Sequence, residues 1–187
     1  MASKSYYIAL LACVLFAGLV NTYSVFGQKS ALSDTISYQS ITFCEKIESE
    51  LLFEKVKNTI YQIYDSASIS IVGNHIAEVN VQVKIYSQLL GKIGHPTGLL
   101  FFLYKIEVKD EKFRCLVDNF YFKPMERNRY GRFQQVKTDA ELVCRDNFKS
   151  NPFLFKKIEN QSEGYANKLT EKLKVEAITK TSAKIDW

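Results

Sequence analysis

Apolar side chains along most of this chain fall into two periods, and the change from one to the other divides it into elements. After Ile76, Ala77, Val79, Val81, Val83 and Ile85 point one way while Glu78, Asn80, Gln82 and Lys84 point the other. A period of two predicts a strand with one buried and one wet face, the mark of an antiparallel sheet. Ile69 and Ile71 repeat the pattern on a smaller scale over 68–72, and Gly73-Asn74 turns the chain between the two strands. Residues 38–44 read as a further strand, with Ile41 and Phe43 on one face. Between these strands Leu52, Val56, Ile60 and Ile63 are spaced by four, four and three, which predicts an amphipathic helix begun by Ser49 as its cap.

Residues 98–109 and 112–122 predict a hairpin turning at Asp110-Glu111. A two-residue turn sets Val108 opposite Phe113, Ile106 opposite Cys115, Tyr104 opposite Val117 and Leu100 opposite Tyr121, all on the core face. On the other face Glu107 meets Arg114, a favourable cross-strand charge pair. A slip of one residue would turn charges inward, so the pattern itself argues for the register. Carried to the strand ends, that register also sets Leu99 opposite Phe122 and Phe101 opposite Phe120, with Leu103 beside them. These five make a candidate apolar patch on the side that a two-layer sheet leaves wet, unless residues 123–145 or a helix cover it.

Residues 89–98, with Gly91, Gly94, Pro96 and Gly98, read as a loop, and 123–135 (KPMERNRYGRFQQ) as a basic loop. Ser150 or Asn151 before Pro152 is a helix start. The long helix that follows, to about Lys180, carries Ile158, Tyr165, Leu169 and Leu173 as its stripe, and Gly164 is a candidate break. Helices at both ends of an antiparallel run predict an α+β two-layer sandwich, about five strands packed against two helices.

Composition adds the compartment. Lys4 precedes a charge-free run, Tyr6 to Val20, and Val25-Phe26-Gly27 offers compact residues before Gln28. This is the three-part export pattern: residues 1–27 read as a signal peptide and 28–187 as one exported domain, its core about 38–178. The alternatives are an uncleaved membrane anchor, since the charge-free stretch reaches Gly27, and lipidation at Cys13 in Leu10-Leu11-Ala12-Cys13. The expected location is periplasmic, envelope-associated or secreted, with membrane contact only through an uncleaved signal. Cys44, Cys115 and Cys144 then remain, an odd number: one bridge with a free thiol, or no bridge, both stay open.

The segments ESELLFEKVKNTIYQIYD (48–65) and FFLYKIEVKDEKFRCLVDNF (101–120), with the long closing helix and the leader, resemble an exported domain of unknown function with a TBP-like fold, common in Bacteroidetes-type bacteria. The resemblance covers about 38–178 and implies a TBP-like two-layer sandwich. It carries no catalytic signature and no assigned activity, and the label describes shape without implying DNA binding. Glu111 stands where this turn would favour Gly.

Candidate chemistry narrows the function by exclusion. The chain lacks G-x-S-x-G, and GKIGHPTG has neither the spacing nor the Lys-Ser/Thr ending of a phosphate-binding loop. His75 and His95 are the only histidines and there is no C-x-x-C, so no metal or cofactor is expected. Asp110, Glu111, Asp118 and Glu107 read as solvated or turn acids rather than a glycosidase pair. The formal charge is +5, and residues 1–27 contribute one Lys and no acid. That mild excess demands no nucleic acid. The expectation is therefore a non-enzymatic binding module. Its candidate surfaces are the patch Leu99, Phe101, Leu103, Phe120 and Phe122, and the basic loop Lys123, Arg127, Arg129 and Arg132, docking an unknown protein or envelope component. The alternative is a small-molecule or lipid carrier with a cavity between sheet and closing helix, lined by Leu100, Phe102, Tyr104 and Tyr121.

Overall fold

The computed structural model describes residues 24–26, 35–44, 47–89 and 92–179. The rest of the expected leader, Cys13 included, lies outside the described residues. In chain order the elements are β1 (Ser24–Phe26), β2 (Tyr38–Phe43), α1 (Ser49–Ile63), a short 3-10 turn (Ser66–Ser68), β3 (Ile69–Val72), β4 (Ile76–Leu89), β5 (Lys92–Lys109), β6 (Lys112–Arg127), β7 (Phe133–Gln135), β8 (Glu141–Leu142) and α2 (Pro152–Thr179). The strands make one antiparallel sheet in the order β1-β2-β6-β5-β4-β3, with β7 and β8 also pairing with β6. Leu52, Val56 and Ile60 of α1 and Ile158, Ala166 and Leu173 of α2 join one core with the inward side chains of β4, β5 and β6. Both helices therefore cover the same face. The α+β sandwich is as predicted, with a sheet larger than five strands.

Strands extend where the sequence predicts loops. β5 begins at Lys92, inside the stretch read as a loop, and pairs with β4 from there. Gly98 reads as a breaker, but a Cβ there would lie 2.3 Å from the Phe122 ring. It is a strand residue kept small by an aromatic neighbour. The basic loop is in large part a hairpin, with Met125, Glu126 and Arg127 of β6 pairing with Gln135, Gln134 and Phe133 of β7.

The helix starts differ in where their caps come from. Asn151 accepts from the Leu154 amide at 3.0 Å with Pro152 in the first helical position, as predicted, and α2 runs unbroken through Gly164. Ser49 does not cap α1. Glu48 stands at the cap position without a side-chain bond, and the Ser49 amide donates instead to Oδ1 of Asp110 at 2.9 Å. The cap is thus supplied from the β5–β6 turn, far away in sequence. The Asp110 carboxyl is held below the usual carboxylate range by its hydrogen bonds with Ser49. Glu111 beside it adopts a left-handed φ of 60°. Tertiary bonds fix it there: its amide donates to the Ile47 carbonyl at 3.0 Å, and its carbonyl accepts from the Cys44 amide at 2.7 Å.

The main departure from expectation lies midway down β6. Near the turn the register is as predicted, Val108 opposite Phe113, Ile106 opposite Cys115 and Tyr104 opposite Val117. Between Leu103 and Phe101 it shifts, and Asn119, with φ 54°, is taken up as an extra residue. Beyond this bulge Phe101 faces Tyr121, Leu100 faces Phe122 and Leu99 faces Lys123, so the predicted Leu99–Phe122, Phe101–Phe120 and Leu100–Tyr121 pairs do not form. Phe120 and Phe122 turn into the core and Tyr121 turns out. The energetics favour this. A left-handed residue costs about 1–2 kcal/mol, least for Asn, whereas burying a Phe stabilises by about 1.5–3 kcal/mol, and the bulge buries two in exchange for one tyrosine.

The free edge of β4 is also managed. β3 covers it only as far as Val79. Further along, Gln161 of α2 accepts from the Tyr86 amide at 3.2 Å and donates to the Tyr86 carbonyl at 2.8 Å, and the Tyr165 hydroxyl donates to the Lys84 carbonyl at 3.0 Å. Side chains of the helix thus replace part of a missing strand.

Candidate functional site

The face of the sheet turned away from the helices is built in cross-strand rungs. Gln82, Phe101, Tyr121 and Leu142 form one rung across β4, β5, β6 and β8; Lys84, Leu99 and Lys123 form the next; Asn80, Leu103 and Asp118 lie on the other side of the bulge. Of the five residues expected in the apolar patch, the structure brings together Leu99, Phe101 and Leu103. Leu99 is 3% exposed, while Phe101 and Leu103 are half-buried. Phe120 and Phe122 leave the patch for the physical reason given above, the extra residue at Asn119. Phe120 packs edge-on to Tyr38 at 5.8 Å and against Phe102 at 5.2 Å, and Phe122 meets Phe148 at 6.2 Å. Tyr121 takes their place outside, 42% exposed. Residues 133–135 and 141–142, candidates to cover this face, pair edge-to-edge with β6.

Toward the hairpin turn the face is charged. Lys105 lies 3.8 Å from Glu78 and 3.4 Å from Glu107, and Arg114 Nε donates to Glu107 at 3.0 Å. Partial burial pushes the Glu107 carboxyl up, but the bonds and charges of Arg114 and Lys105 outweigh it and hold the group low. Asp118 lies within the field of this network without an ion pair to it among the described residues. One carboxylate oxygen is buried without a hydrogen-bond partner among the described residues, and desolvation raises the pKa of the group, opposed by Lys105 and assisted by Glu78.

The basic residues adjoin the apolar strip through Lys123, which is opposite Leu99. Arg127, Arg129 and Arg132 are exposed around the β6–β7 turn. Arg127 Nε donates to the Gly131 carbonyl at 3.1 Å, and Asn128 Oδ1 accepts from the Tyr130 and Arg132 amides, each at 3.0 Å. The Arg129 guanidinium lies 4.8 Å from the Tyr130 ring centre. The turn is therefore an ordered cationic projection.

Beside it lies a group that sequence reasoning missed. His95 stacks on Phe133 at 5.3 Å, and with Pro96, Thr97, Met125 and Arg127 they line an open groove. Lys157 of α2 donates to Thr97 Oγ1 at 2.8 Å, its pKa lowered by burial. Ser87 Oγ stands 3.1 Å from His95 Nδ1, a spacing open to a nucleophile and its base. The hydroxyl is also within hydrogen-bond distance of the His95 carbonyl, at 3.1 Å. The hydroxyl thus has two acceptors within reach, and its contacts with both parts of His95 orient the ring.

Cys44, Cys115 and Cys144 are buried free thiols, the first two within the core that the helices cover. Burial pushes Cys115 up to about 12, and its sulfur lies 3.2 Å from the Tyr104 hydroxyl. The carrier lining does not assemble: Leu100, Phe102 and Tyr104 are packed in the core, while Tyr121 is on the opposite face. Among the described residues no three His, Cys, Asp or Glu side chains converge on one point.

No family model and no curated protein matches this sequence. Solved structures do resemble the fold. A TBP-like protein from Parabacteroides distasonis superposes with a TM-score of 0.54 at 10% identity, over 77% of this chain and 93% of that one. A DUF4468 family protein from Bacteroides ovatus gives 0.49 at 8% identity, over 77% and 86%. The first likeness establishes a TBP-like fold for this chain, the fold that the hairpin and helix segments resemble in sequence.

Proposed function

We propose that this protein is a non-enzymatic exported module of the cell envelope that binds a partner on the outer sheet face, at Phe101, Leu103 and Tyr121 over buried Leu99, beside Lys123 and the arginine-bearing β6–β7 turn. One observation carries the reading. The two helices cover a single face, and the other presents half-buried Phe101 and exposed Tyr121 in one rung, next to cationic groups. Aromatic anchors within a polar and cationic rim are the usual make-up of a docking surface. The leader pattern of residues 1–27 supports export. With Phe120 and Phe122 in the core, Tyr121 becomes the outward aromatic, and the surface is correspondingly more polar.

The test is retention of envelope components on the immobilised protein. Phe101→Asp should abolish specific retention while the circular dichroism spectrum stays unchanged. Unfolding by this substitution, or full retention by a folded variant, would overturn the proposal.

A further inference from the structure

The end of the outer face nearest the β5–β6 turn has a different chemistry. Phe43 of β2 is opposite Lys112 of β6, which is opposite Lys109 of β5; one rung on, Ile41 is opposite Arg114, and Arg114 is opposite Glu107. These residues line a groove of about 240 Å³, and Phe43 is 39% exposed. Glu107, the acid among them, is already engaged by Arg114 and Lys105. Among the described residues Lys109 and Lys112 form neither an ion pair nor a side-chain hydrogen bond, although like charges opposed across two strands destabilise a sheet. An apolar floor is thus rimmed by two lysines whose charge no ion pair among the described residues balances.

A second observation lies at the adjoining edge. β2 pairs with β6 on one side. On the other its one strand neighbour among the described residues is β1, with Ser24 opposite Thr42, Val25 opposite Ile41 and Phe26 opposite Ser40. Those three residues belong to the stretch read as leader, just before the expected cut at Gln28. A strand of this chain therefore shows that the edge accepts an antiparallel neighbour, and maturation at that cut would remove it.

We propose that the β2 edge is a strand-addition site for an extended acidic peptide of a partner protein, which pairs antiparallel with Tyr38–Phe43 in the place of β1. Alternation fixes the chemistry of the peptide. Positions on the helix side adjoin buried Ser40 and Thr42 and take small apolar residues. Positions on the outer side take glutamates, whose stems lie over Ile41 and Phe43 and whose carboxylates reach toward Lys109, Lys112 and Arg114. This site goes beyond the docking surface proposed above and shares no residue with it.

Fluorescence anisotropy on the full chain tests this with a labelled Val-Glu-Val-Glu-Val-Glu-Val peptide. Controls are its Lys-for-Glu counterpart and a version with Pro at the central position. The glutamate peptide should bind, and both controls should bind at least about tenfold more weakly, since one reverses the charge and the other cannot continue a ladder. Val25→Pro should loosen β1 and raise affinity severalfold, and Lys109→Glu with Lys112→Glu, both exposed, should lower it at least about tenfold. Phe101→Asp should leave binding intact, which separates failure here from failure of the first docking surface. Equal binding of the Pro-interrupted peptide would reduce the site to general attraction for polyanions. Equal binding of the lysine peptide, no binding at all, or no response to Val25→Pro would each overturn the proposal.

Discussion

The two faces of this sheet are made by the same strands, yet they tolerate chemistry very differently. The helix face is closed. Leu100, Phe102, Tyr104, Phe113 and Phe120 are buried there, and the Cys115 sulfur lies 3.2 Å from the Tyr104 hydroxyl. The outer face mixes Leu99 and Phe101 with Lys105, Glu107 and Arg114, and its aromatic Tyr121 meets solvent. Asn119 decides which aromatic belongs to which face, because the extra residue exchanges Tyr121 for its two neighbours. The difference teaches that membership of a face is set by register, and that register can change within one strand.

The strongest test of the difference puts the same charge on each face. Phe120→Asp should cost about 3–5 kcal/mol or prevent folding, because it loses a buried ring and leaves a carboxylate in apolar surroundings. Phe101→Asp should cost no more than about 1 kcal/mol in urea denaturation. Similar losses for the two would erase the distinction between the faces.

A smaller effect tests the hinge of the pattern. Asn119→Val, a branched residue at a left-handed φ, should lose about 1–2 kcal/mol of stability, whereas Asn119→Gly should be neutral or slightly stabilising. If both were neutral in the same denaturation assay, the bulge would not be held at Asn119.

Asp110→Ala should lower the melting temperature modestly by uncapping α1. The folded-state pKa of Asp110 is depressed, so its contribution is present above the ordinary carboxylate range and lost as pH falls through the lower folded value. Wild-type and variant melting temperatures should therefore differ at neutral pH and converge in acid. A gap that persisted in acid would mean that Asp110 acts otherwise than as an ionised cap.

The smallest perturbation leaves stability untouched. An alkylating reagent at neutral pH should spare Cys115 in the folded protein and label it after denaturation, as expected for a buried thiol with its pKa pushed up to about 12. Rapid labelling of folded protein, read by mass spectrometry, would show the helix face to be open.

Much of the fold was legible because it is local. The alternation in β4, the stripe Leu52, Val56 and Ile60, the Asn151-Pro152 start and the tip of the β5–β6 hairpin all depend on neighbours in sequence. The first half of β5 was not, because Gly94, Pro96 and Gly98 signal a break until the Phe122 ring over Gly98 is known. Nor was the true cap of α1, since nothing near Ser49 points to Asp110. The outer strip was half legible: Leu99, Phe101 and Leu103 sit together as read, while Phe120 and Phe122 do not. A hint existed in the run Phe120-Tyr121-Phe122, where period two gives no preference for either face. The stacking of His95 on Phe133 left no trace in sequence, because the two meet only when β7 folds back on β6.

By itself the sequence determined the class of the fold: helices flanking an antiparallel run, with apolar residues at alternate positions where a sheet must bury one side. Only the tertiary structure decided the side taken beyond Asn119. That choice weighs one strained residue against burying two rings on Tyr38, Phe102 and Phe148, and the weight of those surfaces does not exist until the chain has brought them together.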